Sequence, residues 1–329
     1  RGDLWTVPAE NGEARQLTAT SGARERDPVW SPDGKWILYI SDESGEDELY
    51  LVDPGPADGK PRQKIRLTTD GAAWRYAPLW SPDSRLAAFS DKNLKLWVLD
   101  VTTKTLTLAD TSALWEITSY SFSPDSRWLA YSKPVQRDRE FSSIFLYDIQ
   151  NRKVHRVTDG MTNDTQPVFD PEGKHLYFVS GRDLNPKLGN FEMSYIYEKT
   201  DRVYLLTLQA DSLSPLSPRS DEEESGKAAK DDSGKSVGKE DKKADKEKAA
   251  PSAPATRIDL PGLGGRVVAL SEEPGNFGGV RASAGRVFWL GMEQGGGEPD
   301  LYCYDLAKRK QFTLAEGVGG YDISPDGKK

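Results

Sequence analysis

The chain has 329 residues and a formal net charge of −8 at pH 7. This acidic balance argues against recognition of a nucleic-acid backbone, which needs clustered positive charge. Cys303 is the only cysteine in the sequence, so an internal disulfide is excluded. No apolar run approaches the roughly 18 residues that a membrane-spanning helix needs. With these classes excluded, the internal pattern of the sequence decides the fold class.

A strand–turn–strand pattern recurs along the chain. The copies are VWSPDGKWILYIS (29–41), LWSPDSRLAAFS (79–90), SFSPDSRWLAYS (121–132), VFDPEGKHLYFVS (168–180), the degenerate VRASAGRVFWLG (280–291) and the start of another, DISPDGKK (322–329). Trp30, Trp80, Phe122, Phe169, Arg281 and Ile323 align at intervals of 50, 42, 47, 112 and 42 residues. A period of roughly 40–50 residues is typical of one propeller blade. The SPDG segments favour tight turns, because proline fixes φ and glycine accepts positive φ.

Each copy is followed by two further predicted strands. In the first unit these are ELYLVD (48–53) and KIRLTT (64–69), and in the second they are KLWVLD (95–100) and TLTLAD (105–110). Stacking four-stranded sheets around a ring buries both of their faces and leaves few open edges. The sequence therefore predicts an all-β fold, a β-propeller of four-stranded blades.

The long interval contains a charged insertion. Residues 217–256 have no Leu, Ile or aromatic side chain, with 9 basic against 10 acidic residues. Such a segment buries too little apolar surface to offset the entropy lost on ordering. We predict that residues 217–256 form a disordered loop within one blade, with partner binding as the alternative role.

Limited proteolysis of the native protein is expected to cut first between residues 217 and 256, because flexible polar segments are the preferred sites of nicking. Mass spectrometry of the earliest fragments locates the cut. Early cleavage inside predicted strands such as 48–53, with the charged segment intact, would contradict the assignment.

The blade count has two solutions. DLWTVP (3–8) and RQLTAT (15–20) are predicted outer strands without an inner pair, while YDISPDGKK (321–329) begins an inner pair without outer strands. The two ends could complete one sixth blade, or each could belong to a separate blade of a seven-bladed ring. We expect residues 1–329 to form a single propeller domain that is truncated at both ends, cut from a longer polypeptide.

Three segments of the sequence indicate which class of propeller protein this is. SPDG repeats with DLWTVPAENGEARQLT phrasing (3–18) occur in propellers of TolB, of prolyl-oligopeptidase-type peptidases and of tricorn protease. Residues 182–215, the charged insertion and residues 257–280 together resemble the second, seven-bladed propeller of bacterial tricorn-like proteases, and the order of the pieces matches. The resemblance implies a ring oligomer that degrades peptides. It also implies that the propeller guards access to a serine-peptidase site in other domains of the same polypeptide.

Catalytic residues are not expected within this chain. A serine nucleophile needs a histidine base, and only His155 and His175 are present. His155 is predicted on the solvated side of an outer strand, and His175 in the packing position of Trp36 and Trp128. No Gly-x-Ser-x-Gly segment occurs. Two histidines and one cysteine make no zinc set, so neither metal nor cofactor is expected.

Loops that precede the inner strands are the remaining candidate site, because loops on a rigid scaffold usually carry binding. The predicted peptide contacts at the channel mouth are Arg24, Arg26, Trp74, Arg75, Tyr76, Trp115, Glu116 and Asp164. The alternatives are a non-catalytic protein-binding scaffold of the TolB type, or the cap of a prolyl-oligopeptidase-like hydrolase. We expect a cytoplasmic protein, with the periplasm as the alternative.

Overall fold

The computed structural model describes residues 2–8, 11–55, 63–71, 73–136, 141–184, 186–189, 194–218, 255–292 and 296–324. These residues form 24 β-strands, and the only regular helix among them is a single 3₁₀ turn at Leu263–Gly265. No helix in this part of the chain is long and apolar enough to cross a membrane. The all-β prediction is therefore confirmed.

Five four-stranded antiparallel sheets follow one another along the chain, and we call them blades 1 to 5. Blade 1 contains β3 (Glu25–Trp30), β4 (Ile37–Ser41), β5 (Glu48–Val52) and β6 (Lys64–Arg66). Blade 2 contains β7 (Leu79–Trp80), β8 (Leu86–Ser90), β9 (Lys95–Asp100) and β10 (Thr105–Thr111). Blade 3 contains β11 (Tyr120–Phe122), β12 (Trp128–Pro134), β13 (Ser142–Asp148) and β14 (Lys153–Arg156).

Blades 4 and 5 surround the long interval of the repeat. Blade 4 contains β15 (Asp164–Phe169), β16 (His175–Ser180), β19 (Arg202–Thr207) and β20 (Val267–Ala269), and blade 5 contains β21 (Phe277–Ser283), β22 (Arg286–Gly291), β23 (Asp300–Asp305) and β24 (Lys310–Ala315). A hairpin of β17 (Pro186–Leu188) and β18 (Tyr195–Tyr197) leaves blade 4 between β16 and β19. The charged insertion lies between β19 and β20. Apart from its first two and last two residues, it lies outside the described residues.

The repeated turn has a common hydrogen-bond pattern. Ser31 Oγ donates to Asp33 Oδ1 at 2.6 Å, and Trp36 N–H donates to Ser31 Oγ at 2.9 Å. The same two contacts are made by Ser81 with Asp83 and Leu86, and by Ser123 with Asp125 and Trp128. Gly34, Ser84 and Ser126 occupy the positive-φ position at 70°, 59° and 60°. Short-range bonding within Ser-Pro-Asp therefore explains why this segment recurs in the first hairpins of blades 1, 2 and 3.

Successive turns are also bonded to one another. Asp33 N–H donates to Ser84 Oγ at 3.1 Å, and Asp83 N–H donates to Ser126 Oγ at 3.1 Å. Blade 4 has Gly173 at the serine position, and a Cβ there would lie 2.7 Å from Thr256 Oγ1. Thr256, at the end of the charged insertion, donates its N–H to Asp125 Oδ2 at 2.8 Å. The end of the insertion is thus anchored between blades 3 and 4.

Apolar clusters between consecutive blades form the core. Leu38, Ile40, Leu49 and Leu51 of blade 1 pack against Trp80, Ala87 and Phe89 of blade 2, and equivalent clusters join blades 2 and 3, 3 and 4, and 4 and 5. Burial on both faces explains why the second and third strands are almost continuously apolar. In blade 5 the turn is shorter, since Ser283 pairs with Arg286, and the buried hydrophobic side chain of the first strand is Val280 rather than the aligned Arg281.

The N-terminal sheet has two strands, β1 (Trp5–Thr6) and β2 (Arg15–Gln16), as predicted for outer strands without an inner pair. Leu4 and Leu17 of this sheet pack on Ile37 and Tyr39 of blade 1. The aligned aromatic residue of blade 1, Trp30, is 51% exposed, whereas Trp80 in the next blade is 6% exposed. Trp80 donates its Nε1–H to Val29 O of β3 at 3.1 Å, whereas the two-stranded N-terminal sheet has no equivalent of β3 beside Trp30 in the described residues.

Candidate functional site

The candidate residues lie near one end of the blade strands. In an antiparallel sheet, successive connections lie alternately at the two ends of the strands. The turns from the second to the third strand therefore lie at the same end as the connections from the fourth strand to the first strand of the next blade. We call this end of the blades the loop face. The connections between blades on the loop face include residues 67–78 before β7, 112–119 before β11 and 157–163 before β15. The SPDG turns lie at the opposite end of the strands.

An indole with two guanidinium groups lies at the start of blade 1. The Arg26 guanidinium carbon lies 3.9 Å from the centre of the Trp74 ring, and that of Arg24 lies 5.2 Å from it. Arg26 also forms ion pairs with Asp27 at 2.6 Å and with Asp47 at 2.5 Å. Trp74 is 41% exposed despite these contacts. Cation–π contact with a fixed arginine therefore holds an accessible indole on the loop face.

A second group joins the connections before blades 2 and 3. Tyr76 Oη donates to Glu116 Oε1 at 3.0 Å, and Lys92 Nζ donates to the same oxygen at 3.0 Å. A hydrogen bond from the backbone N–H of Glu116 itself, then those from Lys92 and Tyr76, keep the pKa of this carboxyl below its usual value. The contacts with Tyr76 and Glu116 raise the pKa of Lys92. Lys92 N–H also donates to Trp74 O at 2.9 Å, so the two groups are continuous.

Trp115 is the most exposed of the candidate aromatic residues at 60%. It borders a cavity of about 490 Å³ between blades 3 and 4, lined by Trp115, Glu116, Thr118, Ser119, Ser132, Pro134, Ser142, Thr165 and Gln166. The lining combines one indole and one carboxylate with hydroxyl and amide groups. These groups can stack on a side chain and hydrogen-bond to a peptide backbone.

Arg75 and Asp164 are placed differently from the other candidates. The Arg75 side chain is 2% exposed and forms ion pairs with Glu48 at 3.0 Å and with Asp70. Asp164 is fully buried, and it accepts hydrogen bonds from Thr162 Oγ1 at 2.9 Å and from Ser180 Oγ. Burial leaves neither side chain free to meet a ligand on the loop face. Arg75 supports the loop that carries Trp74 and Tyr76, whereas Asp164 fixes the start of β15 beside the cavity.

Sequence patterns missed two features of this face. Lys92, in the turn between β8 and β9, completes the contact between Tyr76 and Glu116. Asp27, Gln166 and Gly279 form bulges in the first strands of blades 1, 4 and 5, with φ of 53°, 54° and 63°. Gln166 Oε1 accepts a hydrogen bond from Gly279 N–H at 2.7 Å. Bulges re-aim side chains next to binding sites, and the only local signal was the proline after Asp27 and after Gln166.

The two histidines make packing contacts. His155 differs from the expectation of a solvated side chain, because it is half-buried with its ring 6.1 Å from that of Trp128. His175 is also half-buried, and its Nδ1 lies 3.3 Å from Asp170 Oδ2. Neither contact pairs a histidine with a serine or cysteine nucleophile. Within the described residues, no group of three His, Cys, Asp or Glu side chains could hold a metal ion.

The fold is that of a β-propeller domain, and its loop face is a candidate ligand-binding surface. A family model described as the tricorn protease second β-propeller domain matches residues 1–329. The chain therefore belongs to the family of tricorn protease second propellers.

Individual relatives agree with this assignment. The chain is 28% identical over 348 residues to tricorn protease homolog 1 of Streptomyces coelicolor, an alignment covering 100% of this chain and 31% of that protein. It is 25% identical over 329 residues to the tricorn protease homolog of Saccharolobus solfataricus, covering 100% of this chain and 28% of the relative. The chain thus spans less than one third of the length of either relative.

A solved structure shares the fold. The crystal structure of the tricorn protease superposes with a TM-score of 0.74 at 19% sequence identity, covering 96% of this chain and 28% of that one. Similarity at this identity concerns the fold, and it supports the arrangement of four-stranded blades.

Proposed function

We propose that this propeller is the access domain of a tricorn-like serine peptidase. Peptides contact its loop face on their way to a catalytic domain that lies outside residues 1–329, and the intact polypeptide assembles into an oligomer. Family membership supports a peptidase as the parent protein. The observation that carries a role for this domain is the continuous strip of exposed aromatic and charged groups from Trp74 through Lys92 to Trp115.

The chemistry of this strip suits peptides in general rather than one sequence. Trp74 and Trp115 offer indole surface to any apolar or aromatic side chain. Hydroxyl groups around the cavity beside Trp115 offer donors and acceptors to a peptide backbone. The buried ion pair between Arg75 and Glu48 anchors the loop that bears Trp74 and Tyr76. The hydrogen bond from Tyr76 to Glu116 joins this loop to the one that bears Trp115.

Substitution of Trp115 tests the proposal. In the intact peptidase, Trp115→Ala is expected to raise KM for a long peptide about three- to tenfold, because stacking on an aromatic ring contributes roughly 0.5–1.5 kcal/mol. Hydrolysis of a tripeptide that needs no guidance across the propeller should be unchanged. Steady-state kinetics with both substrates separate KM from kcat.

Leu108→Ala is the control, since Leu108 is also exposed, at 45%, but lies in the middle of β10, the outer strand of blade 2, away from the loop face. It should leave both substrates unaffected. Unchanged KM for the long peptide in Trp115→Ala would contradict a role of this face in substrate access. Binding of a folded protein to the loop face, without any effect on peptides, would support a TolB-like scaffold instead.

A further inference from the structure

Arg24 differs from the other cations of the loop face in its partners. Arg26 is paired with Asp27 and Asp47, and Lys92 is paired with Glu116. The Arg24 side chain is exposed, and among the described residues its guanidinium group has no carboxylate partner within 4.0 Å. Its donors therefore point to no acid within this part of the chain.

The position of Arg24 is nevertheless fixed. Its backbone N–H donates to Asp42 Oδ1 at 2.7 Å, and its backbone forms a parallel bridge with Gly2. Its guanidinium group lies 5.2 Å from the Trp74 ring centre, on an indole that Arg26 holds at 3.9 Å. A cation held against an aromatic ring loses less side-chain freedom when it binds a ligand.

We propose that Arg24, supported by Trp74, binds a carboxylate of the peptide that passes over the loop face. The carboxylate is either the C-terminal group or an Asp or Glu side chain. A guanidinium group presents two parallel N–H donors that match the two oxygens of a carboxylate. The chain carries a net charge of −8, so an unpaired cation on this face favours an approaching carboxylate against the overall negative charge. This inference rests on the proposed function, because it assumes that peptides reach this face.

The experiment measures peptide affinity rather than hydrolysis. Four peptides of one backbone sequence, each labelled at its N-terminus with an uncharged BODIPY dye, are titrated with the intact protein, and binding is followed by fluorescence anisotropy. One peptide has a free C-terminal carboxylate, one is amidated, one is amidated with an internal Glu, and one is amidated with Gln in its place. Arg24→Gln is expected to weaken binding of a carboxylate-bearing peptide about two- to fivefold, the range for exposed ion pairs. The amidated Gln peptide should bind equally to both proteins.

Comparison among the peptides identifies the source of the carboxylate. An effect confined to the free-acid peptide assigns the C-terminus, and an effect confined to the Glu peptide assigns a side chain. Arg24→Lys should restore only part of the affinity, since an ammonium group lacks the planar fork. Arg85→Gln is the control, because the Arg85 side chain is 68% exposed and lies beside Asp100 at the end of the blades opposite to the loop face.

Two negative results have different meanings. Equal affinity of Arg24→Gln and the unsubstituted protein for every peptide, with Trp115→Ala still weakening binding, overturns the role of Arg24 and leaves the proposed function intact. Equal affinity of both variants and the unsubstituted protein overturns the peptide-binding role of the loop face as a whole.

Discussion

Replacing Glu48 by alanine is expected to lower the free energy of unfolding by about 3–5 kcal/mol, the cost of removing one partner from a buried ion pair. Glu48 is fully buried, and Arg75 is 2% exposed. One carboxylate oxygen accepts from Arg75 at 3.0 Å, and the other accepts from Arg66 at 3.0 Å and from the Gly71 N–H at 2.8 Å. Without Glu48, Arg75 keeps its ion pair with Asp70 but loses its fully buried partner.

Denaturant unfolding followed by tryptophan fluorescence measures the loss. Glu43→Ala is the matched control, because Glu43 pairs with Lys64 at the surface and such pairs contribute about 0–1 kcal/mol. A loss for Glu48→Ala no larger than that for Glu43→Ala would contradict the assignment of a structural role to this network.

Replacement of both partners separates packing from charge. Glu48→Leu combined with Arg75→Met removes the buried acid and the buried base together. We expect this double variant to be more stable than Glu48→Ala, because apolar side chains of similar volume can replace a buried ion pair at little cost. The peptide affinity of the double variant should stay close to that of the unsubstituted protein if Arg75 only supports the loop.

The blades could be predicted because their signals are local in sequence. Ser31, Asp33 and Gly34 lie within four residues, and the turn that they form needs no other part of the chain. The strands that follow the turn are short, nearly continuous apolar runs, and such runs recur in every blade. In blade 5 the turn signal is a different one, since Gly285 has a φ of 71° in a shorter turn, and β21 and β22 still form the predicted inner hairpin.

The loop residues could be assigned to one face but not to individual roles. Arg75 looks like an exposed loop arginine in sequence, yet its buried partner Glu48 lies 27 residues earlier. Asp164 similarly depends on Ser180, which is 16 residues further along the chain. Burial of a loop side chain is decided by contacts between strands and blades, which no local pattern records. Trp115 and Arg24 have no such partners, and they remain candidates for binding.

Closure of the propeller ring is expected to have the second large effect on stability. If the domain has seven blades, the N-terminal sheet and residues 321–329 belong to adjacent blades that each lack strands. Adding the native flanks at both ends should then raise the melting temperature by several degrees and reduce self-association, because repeat proteins gain stability from each neighbour interface. Apolar surface remains at both ends in the described residues, since Trp5 is 57% exposed in the N-terminal sheet and Leu314 is 54% exposed in blade 5.

Trp30 supplies a sharper test of the same prediction. In the 329-residue chain it is 51% exposed, so Trp30→Ala should cost little stability. In the extended polypeptide the added inner strands should bury it, and the same substitution should then cost about 3–5 kcal/mol, as for other tryptophans in a core. Trp80→Ala is the control, because Trp80 is 6% exposed and should cost this amount in both proteins. If six blades close within the chain itself, extension changes neither the melting temperature nor the cost of Trp30→Ala, and the seven-bladed assignment fails.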